Sequence, residues 1–81
     1  MRTSVRLFAV ARQIAGCDRV ELELPEHATI GDLRQQLGRD IPALSGLLGP
    51  MLFALDARYV NDASLVPPNA EIACIPPVSG G

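Results

Sequence analysis

The residues able to do chemistry in this chain are few. There are two thiols, Cys17 and Cys74, one imidazole, His27, and nine carboxylate side chains among 81 residues. The cysteines form no Cys-x-x-Cys pair, and a single histidine does not complete a usual zinc site with them. Asp18, Asp56 and Asp62 are too scattered to argue for a metal. His27 follows Pro25-Glu26 in an expected turn and has no serine or cysteine at a recognisable spacing, so it reads as a solvated loop residue. Cys74 sits in strand-like alternation and reads as a small core residue. Cys17, in a loop after Gly16, is better placed to react, but no activating partner is recognisable beside it. Neither a phosphate-binding glycine loop nor a nucleophile elbow occurs.

What remains is the ending, Pro76-Pro77-Val78-Ser79-Gly80-Gly81. The prolines cannot continue a sheet as central residues and stiffen the exit from the strand before them. Small uncharged residues follow, then two glycines and a carboxylate. Such a segment is thin enough to thread a narrow channel in another protein, and any side chain at position 80 or 81 would widen it. A bare Gly-Gly ending is also what a fraying terminus shows. The Pro-Pro-Val-Ser segment abuts a strand without a linker, and on these residues alone both readings stay open.

The elements that position this ending follow from periodicity. Thr3–Val10 alternates as a strand, with Val5, Leu7 and Ala9 on one side and Arg6, Phe8 and Val10 on the other. Ala11–Ala15 is expected to make a helical turn stopped by Gly16. Arg19–Leu24 is a second strand, ended by Pro25. Thr29 is a good N-cap, with Asp32 completing a short capping box. Ile30, Leu33 and Leu37 then line one side of a helix that Gly38 is expected to stop. Asp40 is expected to cap a further segment carrying Ile41, Leu44, Leu47 and Leu48, with Pro42 in its first turn. Met51–Leu55 is an apolar strand, Asp56-Ala57 a turn, Arg58–Asn61 a short return strand and Glu71–Ile75 the last strand. This order predicts an α+β domain, a mixed sheet with one main helix on one face.

If Val5, Leu7, Ile72 and Cys74 face the core, then Phe8, Tyr59 and Ile75 lie on the opposite face among polar neighbours. Such a cluster marks a protein-binding surface; covering the sheet edge or a second small core is the alternative, and a one-residue slip in register would reverse the assignment.

Composition narrows the partners. The net charge is -2, and all seven cations are arginines, with no basic run; nothing here suits a nucleic acid. With no lysine, the chain offers no ε-amine for another copy to acylate. The longest uncharged run, Ile41–Leu55, spans 15 residues and is broken by prolines and glycines, so no membrane span is expected. Arg6 and Arg12 interrupt any signal-peptide core. The two unclustered thiols read as reduced, and the chain is expected to be soluble and cytoplasmic.

Taken together, these residues resemble the small subunit of molybdopterin synthase, the molybdenum-cofactor sulfur carriers. The resemblance covers essentially the whole chain. It runs through Val5-Arg6-Leu7-Phe8-Ala9, Arg12 and Ile14-Ala15-Gly16, then Thr29-Ile30 with Leu33 and Leu37. It continues with Phe53-Ala54-Leu55-Asp56 and Tyr59-Val60, and is most specific at Ile75 through Gly81. The chain departs from the family at Asn69-Ala70, where Gly-Asp is frequent, and at Cys74 and Ile75, where many members carry an aromatic or another bulky residue.

The resemblance implies a β-grasp, ubiquitin-like domain over residues 1–75 and an extended tail over 76–81. It implies that Gly81 is the covalent carrier and Gly80 its slim neighbour. Phe8, Tyr59, Ile75, Pro76, Pro77, Val78 and Ser79 would meet the partners. An E1-like adenylyltransferase would activate the carboxylate with ATP, and a persulfide donor would convert it to a thiocarboxylate. The synthase large subunit, in a heterotetramer with two of each chain, would use it to sulfurate cyclic pyranopterin monophosphate. No cofactor or metal is expected on this chain. Sulfur carriers for thiamine, tRNA thiolation or cysteine synthesis, and a ubiquitin-like protein modifier, are the alternatives. A non-covalent adaptor is a further one.

Overall fold

The computed structural model describes residues 1–77. In chain order the elements are β1 (Arg2–Leu7), α1 (Ala9–Ala15), β2 (Arg19–Glu23), α2 (Ile30–Asp40), a 3-10 turn (Pro42–Leu44), β3 (Leu52–Leu55), β4 (Arg58–Val60) and β5 (Glu71–Ile75). The five strands form one sheet in the order β2-β1-β5-β3-β4. β1 and β5 are parallel at its centre; the β1–β2, β3–β5 and β3–β4 pairs are antiparallel. This is the mixed sheet with one main helix predicted above, and it matches a β-grasp arrangement. Among the described residues, no helix is long and apolar enough to cross a membrane.

Alternation decides which sheet face is dry. Val5, Leu7, Leu22, Phe53, Ile72 and Cys74 point to one side and are almost wholly buried, with Ile30, Leu33 and Leu37 of α2 in the same core. α2 starts where its cap is encoded. The Thr29 hydroxyl accepts from the Asp32 N–H at 3.2 Å, and the Asp32 carboxylate accepts from the Thr29 N–H at 2.9 Å. That reciprocal pair satisfies two of the donors a helix start leaves free.

Several boundaries differ from expectation. β1 ends at Leu7 rather than Val10. Phe8 is still extended but already caps α1, and Ala9 turns the chain with φ 51°. Ala9 and Val10, small and apolar, fit either period; α1 begins at Ala9 rather than Ala11 and buries Ala11 in the core. Gly38 does not stop α2, which runs on to Asp40. A Cβ at Gly38 would stand 3.3 Å from Leu48 Cδ1, so this glycine serves a close approach instead. The helix ends at Ile41, whose backbone leaves the helical region just before Pro42. Asp40, expected as a cap, is the last residue of α2 and accepts from Gln36 Nε2 at 2.8 Å.

The loop between α2 and β3 is held by a residue with no obvious sequence signal. Arg34 donates to the carbonyls of Leu48, Gly49 and Met51, and its other edge bonds Asp62 Oδ1 at 2.8 Å. A guanidinium presents five donors in a fixed fork, so one side chain ties α2 to two distant loops.

Candidate functional site

The sheet face turned away from α2 carries the predicted contact residues. Phe8 is 41% exposed and Tyr59 65% exposed, and Ile75 is half-buried. Register places them together. Arg6 pairs with Ala73, and Leu7 with Cys74, so Phe8 stands beside Ile75 one step further on, and the Phe8 N–H donates to the Cys74 carbonyl at 3.3 Å. Tyr59 pairs with Ala54, which pairs in turn with Ala73. The assignment of Val5, Leu7, Ile72 and Cys74 to the core, and of these three to the opposite face, therefore holds in the structure.

The same registers bring in residues that the alternation argument missed. Leu52 lies opposite Ile75 and is exposed. Ala54 and Ala73 sit between the larger side chains as a low floor. Leu52 and Ala54 gave no alternation signal because β3 is apolar on both faces. A shallow groove of about 350 Å³ runs over the two alanines, with Arg6, Phe8, Asp56 and Ile75 among its walls.

This face is divided by charge. The β2–β1 half is ionic: Arg2 bridges Glu23 at 3.1 Å and Glu21 at 3.7 Å, and Arg19 bridges Glu71 at 2.7 Å. These pairs are exposed and contribute little stability. The β5–β3–β4 half is apolar, from Ile75 and Leu52 to Tyr59. At its hairpin end, Asp56 and Ala57 both have positive φ, 51° and 64°. This is the turn geometry that usually favours Asn-Gly.

β5 is a central strand and delivers the chain to the edge of this apolar patch. Pro76 is half-buried and Pro77 exposed, and neither belongs to a strand. Val78, Ser79, Gly80 and Gly81 lie outside the described residues.

The other candidates are not brought together. Cys17 is exposed and Cys74 buried, and both are free. Burial pushes the Cys74 thiol up to about 11, outweighing the nearby positive charge of Arg34, which acts in the opposite direction. Cys74 is therefore protonated at neutral pH and a poor nucleophile. His27 is exposed in its turn with φ 65°. It borders a hollow of about 500 Å³ with Met1, Leu65 and Pro67, at the end of the sheet away from the β5 exit. Among the described residues, no three histidine, cysteine or acidic side chains gather as a metal site.

Comparison with known proteins agrees with this anatomy. The ThiS family model matches residues 5–81. The molybdopterin synthase sulfur carrier subunit of Chlamydomonas reinhardtii is 36% identical over 83 aligned positions, covering 100% of both chains. SAMP1 from Haloferax volcanii, a small archaeal modifier protein, superposes with a TM-score of 0.85 at 27% identity, covering 100% of each chain. A complex of subunits 1 and 2 of molybdopterin-converting factor from Helicobacter pylori contains the same fold, with a TM-score of 0.69 at 22% identity and 100% of both chains covered. With a family match running from β1 to the final glycine, the chain belongs to the ThiS family, and its relatives include molybdopterin synthase sulfur carrier subunits.

Proposed function

We propose that this chain carries sulfur as a thiocarboxylate on Gly81 and donates it, within molybdopterin synthase, to cyclic pyranopterin monophosphate. The observation that carries this reading is the course of β5. A central strand runs out beside the only large apolar area of the outer face among the described residues, and the sequence beyond it thins to Gly-Gly. Relatives matched over the full length bear the sulfur-carrier name, and the family match extends to residue 81.

The chemistry needs activation because a carboxylate would have to expel oxide. An E1-like enzyme transfers AMP from ATP to Gly81, releasing pyrophosphate and making an acyl-adenylate. The terminal sulfur of a persulfide displaces AMP, and a thiol then cleaves the resulting acyl disulfide. This leaves a thiocarboxylate on Gly81 and a disulfide on the donor side. The charged tail enters the large subunit, and two carriers serve each dithiolene. A heterotetramer with two of each chain fits that stoichiometry. ATP, bases and pterin contacts belong to the partners, so this chain needs no cofactor of its own. Phe8, Tyr59 and Ile75 dock the folded domain, while Pro76, Pro77, Val78 and Ser79 lead the tail into the channel. Two free thiols, one sealed in the core, accord with a reducing cytoplasm.

The test is an intact mass after incubation with ATP, an E1-like activating enzyme and a persulfide donor. The expected gain equals replacement of one oxygen by sulfur, mapped to Gly81, and the product is consumed when the large subunit and pterin precursor are added. No gain with a competent, matched enzyme set would overturn the reading. The likeness to SAMP1 favours a second reading, a protein modifier. Lysine-linked conjugates of higher mass in cells, with no thiocarboxylate consumed by the synthase, would select it.

A further inference from the structure

The outer-face groove has a built shape and an uneven charge. One row across four strands reads Arg6, Ala73, Ala54 and Tyr59, each paired with the next. Two one-carbon side chains are thus flanked by two long ones. Ile75 and Leu52 rise on one side of this row as direct partners, and the Asp56-Ala57 hairpin closes the other. The floor is apolar and lies lower than its walls, which suits a protruding side chain from outside.

Charge sets the polarity. Arg6 and Arg19 are directly opposite one another in the β1–β2 ladder, where like charges repel. Arg19 turns across β1 to Glu71 at 2.7 Å, so of the two acids that line the groove, Glu71 and Asp56, Glu71 is already paired. Arg6 instead lies over the Phe8 ring, 5.9 Å from its centre. Among the described residues it has no ion pair. It is a cation at the β1 wall of an apolar groove, while Asp56 supplies the opposite sign at the hairpin end.

From this we infer that the groove is a socket for one bulky apolar side chain of the carrier's protein partner, seated on Ala54 and Ala73, with a partner carboxylate paired to Arg6. The inference rests on the reading above that partners dock on this face, and it adds what they must present: an apolar knob with an acid beside it. An anionic group at the Asp56 end is repelled, so the occupant has one orientation. Small floor residues then matter as much as the exposed aromatics, because filling the socket removes the space the knob occupies.

The experiment uses the full chain with purified large subunit and, separately, purified activating enzyme from the same organism, measured by titration calorimetry. Ala73→Leu is expected to weaken binding by about tenfold or more through overpacking, whereas Ala73→Ser stays near wild type. Arg6→Glu is expected to weaken binding strongly at low salt and less at high salt, as screening reduces the lost attraction. Circular dichroism checks that each variant is folded, and Arg6→Glu, on an exposed position, remains informative if Ala73→Leu is not. Wild-type affinity in folded Ala73→Leu overturns the socket, and a salt-independent or absent effect of Arg6→Glu overturns the carboxylate. Failure of the unaltered chain to bind either protein instead overturns the docking reading beneath both.

Discussion

The Arg34 guanidinium lies 4.8 Å from the centre of the Phe53 ring, joining the middle of α2 to β3. From that position it also donates to Met51 O at 2.8 Å and to Asp62. Arg34→Ala therefore strips several carbonyls of a charged donor and uncovers Phe53 at once. The expected loss is on the order of 2–4 kcal/mol in urea unfolding. Arg34→Lys should recover only part of it, because an ammonium cannot reproduce the fork. A loss below the error of the measurement would mean that the loops are held by packing alone.

How much of this was legible before the structure depends on how far apart the interacting residues are. The Thr29–Asp32 box spans four residues and was readable directly. So was the face assignment of β1 and β5, because each alternates cleanly between Val5, Leu7, Ile72, Cys74 and their neighbours. Arg34 was not, since its partners lie 14 to 28 positions away. Gly38 was misread for the same reason. A glycine near an expected helix end looks like a stop, and only Leu48 reveals the close approach. Leu52, Ala54 and Ala73 became part of the candidate site only through strand pairing, which joins three segments distant in sequence.

Cys74 gives a pH signature. Burial raises its thiol from 9.0 to about 11, so the unfolded chain loses this proton first as the pH rises. Between about pH 9 and 11 the native state holds a proton that the unfolded state has released, and stability falls with pH. The drop attributable to this thiol is on the order of 2–3 kcal/mol by the top of the window. Urea unfolding of wild type and Cys74→Ala should show parallel pH slopes below the window and a steeper fall for wild type within it. Parallel slopes throughout would show that the buried thiol ionises as easily as a free one.

Phe8 and Leu7 are adjacent yet face opposite sides of the sheet. Phe8→Asp places a carboxylate on the exposed face close to Arg6 and should change stability by less than about 1 kcal/mol. It should still weaken binding to the large subunit or the activating enzyme by about tenfold or more, as loss of an aromatic anchor does. Leu7→Asp puts the same charge into the core, where Leu7 is 1% exposed, and should unfold the domain. Thermal unfolding and calorimetric binding separate the two effects. If Phe8→Asp unfolds the chain, Phe8 is a core residue; if it leaves binding intact, the apolar face is not where these partners dock.

Deleting Gly81 tests the carrier role without touching the sheet, since β5 ends at Ile75. The deletion moves the terminal carboxylate back by one residue, a displacement of up to about 3.5 Å along an extended chain. Reaction at a site formed on another protein requires the acyl carbon to reach the bound nucleotide and then the sulfur donor, and misplacement by about 1 Å already costs about a hundredfold. The expected result is loss of thiocarboxylate formation by at least that factor, with an unchanged unfolding midpoint. Gly81→Ala keeps the reach but adds a Cβ at the narrow end, and should fall between wild type and the deletion. Thiolation rates followed by intact mass distinguish the three. A deletion variant that still forms the thiocarboxylate at the wild-type rate would show that the activating enzyme does not read the position of the final carboxylate, and the Gly-Gly ending would lose its role in the chemistry.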